Sequence, residues 1–262
     1  MRKLKRTPAY ELSVDIRDPE FIRPPRDAQR NWLLNRFMRE AGEDLEALDR
    51  IARRLVPGGN RELPPDMREA ELADDEIMED WQLPLMDAMA AIATQAHGDV
   101  LEIGFGRGIS AGTIQRLGVR SHTIVECNPH VLARYEEWRA TLPAERDIRI
   151  APGLWQDVID SLGEFDAVFF HTYALDADEA VDLLSNSVTF AASFFPVAAA
   201  HLRKGGVFTY LTNEIDSLSR AHQRLLFAHF GAVRMHRVAL TVPPDVRDAW
   251  WADSMVVVEA TR

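Results

Sequence analysis

At 262 residues, 47% hydrophobic and 27% charged, the chain has the make-up of a soluble globular protein, one large domain or one domain with an extension. A formal charge of −11, scattered basic residues and no apolar stretch of the about 18 residues that span a bilayer exclude nucleic acid and membrane as expected partners. A single cysteine, Cys127, rules out an internal disulfide and fits the cytoplasm, and the opening "MRKLKRTPAYELSVD" lacks the apolar region of a secretion signal.

In chain order, residues 1–24 carry prolines and mixed charge and read as a loose arm. From Asp27 to Val56, Trp32, Leu33, Phe37, Leu45, Leu48, Ile51, Ala52 and Leu55 recur near helical spacing, as one helix or two parted at Gly42. "PGGNRELPPD" (57–66) punctuates the chain, and a further helix is expected from Asp74 to Ala96. Residues 1–75 therefore form an expected N-terminal arm and helical cap, distinct from a domain over 76–262. After Gly98, short apolar runs alternate with amphipathic ones, the signature of βαβ units and a parallel sheet. Strands are expected at Val100–Ile103, His122–Glu126, Asp147–Ala151, Phe165–His171 and Val207–Leu211, with helices at 109–118, 129–141, 155–161, 179–203 and 217–229. Runs at Val233–Val242 and Ser254–Ala260 are close enough in sequence to pair antiparallel at the sheet edge. An α/β fold with a mostly parallel, seven-stranded, Rossmann-like sheet follows, in the arrangement of class I methyltransferases.

"DVLEIGFGRGIS" (99–110) is a buried strand running into a glycine-rich turn and a helix start. A dinucleotide fingerprint would need glycine at position 109, which is Ile109; glycine stands at 104, 106 and 108 instead. That G-x-G-x-G form is the one that wraps the methionine part of S-adenosyl-L-methionine (SAM), where no pyrophosphate has to be cradled. Glu102, just ahead of the loop, is counted with the cofactor-binding residues. Glu126, at the tip of the next strand, is placed to accept hydrogen bonds from both ribose hydroxyls. "APGLWQD" follows the third strand, where adenine would lie among apolar residues including Trp155, with Asp157 bonding its exocyclic amine. Cys127, without a His or Cys partner at metal spacing, reads as a small buried hydrophobe, and no metal site is expected.

"MEDWQLPLM" (78–86), "LEIGFGRGIS", "IVECN", "GLWQDV", "HTYAL", "LRKGGVFTYL" and "VALTVPPDVRDAWW" resemble, in order, the landmarks of guanidinoacetate N-methyltransferase and its arginine-methylating relatives, over roughly 76–262. The resemblance implies that Met78, Met86, the loop residues Gly104, Phe105, Gly106, Arg107, Gly108 and Ile109, then Glu126, Cys127, Asn128, Gly153 and Leu154 line the SAM pocket. In that family two carboxylates hold a guanidinium, one just after the tryptophan of the W-x-x-P motif and one opening the D-T-Y triplet; here those positions are Gln82 and His171. Without those charges a buried planar cation would go uncompensated, which argues against guanidinoacetate and arginine as acceptors.

His171 ends the fourth expected strand, at the crevice where ligands bind in open α/β sheets. With an ordinary pKa near 6.5 it is a candidate base for an attacking amine, or else a residue that bonds a backbone carbonyl and orders the following loop. Tyr173 points the same way and offers an aromatic face or a hydroxyl to the sulfonium; Trp81 and Trp155 are further aromatic candidates, while Trp138 reads as helix packing. His171, Tyr173 and Gln82 are thus the candidate catalytic residues. Three readings stay open: methyl transfer to the nitrogen of a small amine or amino-acid-like metabolite, cyclisation of SAM alone to azetidine-2-carboxylate with release of methylthioadenosine, and a SAM-binding regulatory or scaffold protein without chemistry. The partner is then a small-molecule substrate or SAM alone, with a homodimer allowed.

Overall fold

The computed structural model describes residues 68–172, 175, 189–212, 214, 217–243 and 253–262. They form α1 (Asp74–Ile77), a 3-10 turn (Asp80–Gln82), α2 (Leu83–Ala93), β1 (Asp99–Ile103), α3 (Ile109–Leu117), β2 (Ser121–Glu126), α4 (Pro129–Ala140), β3 (Ile148–Pro152), α5 (Trp155–Val158) and β4 (Phe165–Phe170). After the 3-10 turns at Ile159–Ser161 and Phe190–Phe194 come α6 (Phe195–His201), β5 (Leu202–Leu211), α7 (Arg220–Phe227), β6 (Ala232–Ala239) and β7 (Ser254–Thr261). The arm over 1–24 and the helix expected over Asp27–Val56 lie outside the described residues.

The seven strands make one sheet in the order β3-β2-β1-β4-β5-β7-β6. The first five are parallel, and β7 runs antiparallel between β5 and the edge strand β6. This is the Rossmann-like sheet of class I methyltransferases. Strand order reverses beside β1, so the loops after β1 and β4 part at their carboxyl ends and leave a crevice. Register fixes the depth of that crevice, because Ile103 of β1 stands level with both Val125 of β2 and Phe170 of β4.

Both faces of the sheet are covered, which is why its central strands read as near-continuous apolar runs. On one face α2 buries Leu85, Met86, Met89, Ala90 and Ala93 against Val100, Phe169 and Val257. On the other, Phe194, Phe195, Ala198 and Leu226 pack on Leu101, Val168, Phe208 and Val258. Leu85 and Met89 are fully buried, so truncating either to alanine costs about 2–5 kcal/mol.

Two expected helices do not run as their spacing predicts, and in each an α-helix opens at a proline. Instead of one helix over 74–96, α1 ends at Ile77, Met78 is extended at φ −163°, and a new helix begins at Leu83 with Pro84 in its first turn. A proline ring clashes with the carbonyl four residues back and offers no N–H, so a helix cannot run through it but readily starts at it. Pro196 likewise opens α6, the described end of the helix expected over 179–203, and Leu202 and Arg203 already belong to β5.

Candidate functional site

Glu126 organises the carboxyl ends of the first three strands. Its Oε2 accepts the N–H of Phe105 in the glycine loop at 2.9 Å, and its Oε1 accepts the N–H groups of Cys127 and Asn128 at 2.8 and 2.9 Å. Its backbone carbonyl accepts from Gly153 N–H at 2.8 Å, beyond β3. One buried residue thereby ties the loops after β1, β2 and β3 together. A carboxylate has about four acceptor directions, and three are taken by the backbone, which leaves one open where the sequence reading expects two ribose hydroxyls.

The glycine loop closes this arrangement. Gly104 holds φ +90°, and Gly106, at φ +53°, has room for a Cβ only 3.1 Å from Ile77 Cγ2. The segment 70–82 therefore lies directly on the loop. Arg107 donates to the Met78 carbonyl at 2.9 Å and to Asp80 Oδ1 at 2.7 Å; Arg134 donates to the Leu72 carbonyl at 2.8 Å and pairs with Asp74. Asn128 does two jobs, capping α4 through Oδ1 and holding the Ala70 carbonyl through Nδ2 at 2.8 Å.

Beneath these contacts lie two adjoining cavities that share Gly104, Glu126, Cys127, Thr172 and Leu175. The first is lined by Met78, Met86, Phe105, Gly106, Arg107, Ile109, Asn128 and His171. The second is lined by Gly153, Leu154, Trp155, Phe170 and Phe190. Its floor is aromatic: Phe194 stacks on Phe170 at 4.6 Å and meets the Trp155 ring edge-on at 4.9 Å. A loop whose glycines at 104, 106 and 108 bare the backbone, a carboxylate with one open acceptor direction and an apolar slot suit an amino-acid end, a ribose and a flat base. The residues present fit SAM.

His171 leaves the end of β4 with its N–H bonded to the Ile103 carbonyl at 3.1 Å. The residue as a whole keeps some accessible surface, yet its ring is enclosed by protein, and this desolvation lowers its pKa from 6.5 to about 4. The imidazole is neutral at physiological pH. That revises the expectation of a base near 6.5, since its conjugate acid is far too strong to be formed by an alkylammonium.

Other candidates fall elsewhere. Gln82 is fully buried and lines neither cavity, and Trp81 is core, its indole N–H donating to Glu79 at 2.8 Å. Asp157 is exposed on α5 and lines neither cavity, so it is not placed to read the adenine amine. Gly108 caps α3 under the Phe105 ring, and Glu102 lies below the loop, where it accepts the Ser110 hydroxyl. Trp138 packs on Phe105 at 5.3 Å. Cys127 is half-buried, more open than the small buried hydrophobe expected, and lines both cavities, among the residues that the family resemblance implies for the pocket. Tyr173 lies outside the described residues. Sequence reasoning missed Ile77, Ser110 and Thr172, each directly beside a motif residue that line or loop spacing singled out. Among the described residues no cluster of His, Cys, Asp and Glu could hold a metal, and no helix is long and apolar enough to cross a membrane.

The sequence profile of the family described as guanidinoacetate N-methyltransferase matches residues 64–221, more than half the chain and all of the strands that frame the two cavities. Protein arginine N-methyltransferase 2 of Gibberella zeae is 28% identical over 149 residues, 44% of this chain and 34% of that protein. Its counterpart in Eremothecium gossypii is 36% identical over 112 residues, 38% of this chain and 26% of that protein. The chain thus spans about a third or less of the length of these curated relatives. Among solved structures, precorrin-6y C5,15-methyltransferase from Geobacter metallireducens superposes with a TM-score of 0.49 at 12% identity, over 68% of this chain and 86% of that one. The chain belongs to the guanidinoacetate N-methyltransferase family, and its cofactor is S-adenosyl-L-methionine.

Proposed function

We propose that this chain transfers the methyl group of SAM to a nitrogen of a small amine or amino-acid-like metabolite that reacts as its uncharged free base. The observation that carries the reading is the position of His171 at the wall of the first cavity, where the family resemblance implies a carboxylate; burial lowers its pKa, which leaves the imidazole neutral. Glu126 is the sole carboxylate among the described residues lining either cavity, and its oxygens already serve three backbone N–H groups. Such a wall supplies no counter-charge to a guanidinium but accepts a hydrogen bond from an N–H group. Family membership supports nitrogen as the atom methylated.

Bound here, SAM supplies an electrophilic methyl carbon on a sulfonium. The protein's part is alignment and exclusion of water. His171 Nδ1 or Nε2 accepts the N–H of the nucleophile and so turns its lone pair toward the methyl carbon. The methyl donor would supply the carbon for a new C–N bond as its C–S bond gives the electron pair to sulfur, and the proton of the methylated ammonium would pass to solvent. A neutral His171 also avoids placing a second cation beside the sulfonium.

Incubation of the protein with SAM and a panel of amines, followed by mass spectrometry, tests this directly. The expected products are S-adenosylhomocysteine and an N-methylated amine, formed only when an amine is present. Methylthioadenosine and azetidine-2-carboxylate appearing in equal yield from SAM alone would overturn methyl transfer in favour of cyclisation.

A further inference from the structure

Glu102 and His122 are both wholly inaccessible to solvent, on neighbouring strands beneath the glycine loop. A carboxylate in such a place is costly unless its oxygens are compensated. Oε1 accepts the hydroxyl of Ser110, in the first turn of α3. Oε2 lies 2.9 Å from His122 Nε2, though out of line for a well-formed hydrogen bond, so that contact acts by charge and dipole. On the far side of the ring, His122 Nδ1 is 3.2 Å from the Gln115 side-chain nitrogen. Donation from that amide makes Nδ1 the acceptor and assigns the ring proton to Nε2, toward Glu102.

This chain of groups has a direction, and it ends at the first cavity, which Ser110 lines. A hydroxyl has one proton. With that proton committed to Glu102, Ser110 has only lone pairs left for anything in the cavity. A buried negative charge lies directly behind them. An acceptor backed by a carboxylate, beside a loop suited to the amino-acid end of SAM, complements a cation and repels an anion.

Resting on the SAM reading of the cavity, we propose that Ser110 Oγ accepts a hydrogen bond from the α-ammonium of the cofactor. Glu102 is its positioning residue, fixing the hydroxyl proton on the core side. The site then selects S-adenosyl amino acids over analogues without the amino group, and Ser110, not the carboxylates of the strand ends, provides that selection.

Calorimetry with S-adenosylhomocysteine and its deamino analogue tests the assignment without turnover. The wild-type protein should bind S-adenosylhomocysteine about tenfold more tightly than the deamino compound, as one charge-assisted hydrogen bond warrants. Ser110→Ala should bring the two affinities within about twofold by weakening S-adenosylhomocysteine alone, and Ser110→Thr, which keeps the hydroxyl, should restore most of the difference. Glu102→Gln should narrow the ratio too, since it keeps an acceptor for Ser110 but removes the charge. A ratio unchanged in Ser110→Ala, or equal weakening of both ligands, overturns the proposal; so does a wild-type protein indifferent to the amino group. Failure of the wild-type protein to bind either compound would instead bring down the SAM reading, and this proposal with it.

Discussion

Gly104 and His171, the first residues beyond β1 and β4, meet backbone to backbone: a Cβ on Gly104 would stand 2.3 Å from the His171 carbonyl oxygen. The two lips of the crevice are therefore in contact at their base, and no side chain fits between them. Gly104→Ala would impose φ +90° on a residue with a Cβ, at about 1–2 kcal/mol, and force the lips apart as well. Urea unfolding should register a loss of about 2 kcal/mol or more, with SAM affinity at least about tenfold weaker. A variant equal to the wild-type protein in both measurements would refute this contact.

Glu126 ties three strand-end loops together and also lines both cavities. Glu126→Ala leaves three backbone N–H groups without their acceptor, each costing about 1–3 kcal/mol where it stays dry. Thermal unfolding should therefore drop together with SAM affinity, in contrast to a residue that touches only ligand. With one acceptor direction left, 2′-deoxy and 3′-deoxy analogues of S-adenosylhomocysteine should differ, one losing about tenfold in affinity and the other little. Equal losses for both analogues would show a carboxylate freed from the loops to grip both hydroxyls.

Most of the sheet was legible because burial on both faces leaves apolar runs between turn residues, and the glycine loop because its three glycines adjoin such a run. Pairings distant in sequence were not. Nothing in "LEI" or "SHT" announces that Glu102 and His122 meet in the core, since a charged residue in a strand is ordinarily read as facing water. The same holds for Tyr210, His222 and Glu214, which form a buried chain at 2.6 and 2.8 Å under the β5 end. Asp157 failed for the opposite reason: α5 starts at Trp155, and one turn of helix carries its third residue to the outside. Pro84 was visible in the sequence, and giving it more weight would have divided the helix expected over 74–96.

Arg107 fastens segment 70–82 to the loop. Its pairs with Asp80 and Asp74 are exposed on the acidic side, so each contributes no more than about 1 kcal/mol after solvent screening. The bond to the Met78 carbonyl is better protected. Arg107→Ala should speed hydrogen exchange of the Glu76, Ile77 and Met78 amides by about 5- to 30-fold, from the loss of roughly 1–2 kcal/mol, with β1 to β5 unaffected. Unchanged exchange at those amides would mean that Arg134 and Asn128 hold the segment unaided.

His171 makes the fold sensitive to acid. Its folded pKa of about 4 lies below its ordinary 6.5, so between these values the unfolded chain takes up a proton that the folded chain refuses. Stability from this residue is therefore fully present above about pH 6.5, declines as pH falls, and levels off below about pH 4. At about 1.4 kcal/mol per unit, the loss across that window is at most about 3.5 kcal/mol. Carboxylates also titrate there, so the informative quantity is the difference between wild-type protein and His171→Gln, whose amide keeps polarity without titrating. Unfolding free energies measured at half-unit steps from pH 7 to 4 should converge for the two proteins as pH falls, the wild-type losing more. Parallel curves would show that His171 takes up its proton in the folded protein as readily as in the unfolded one, and the neutral acceptor at the cavity wall would have to be abandoned.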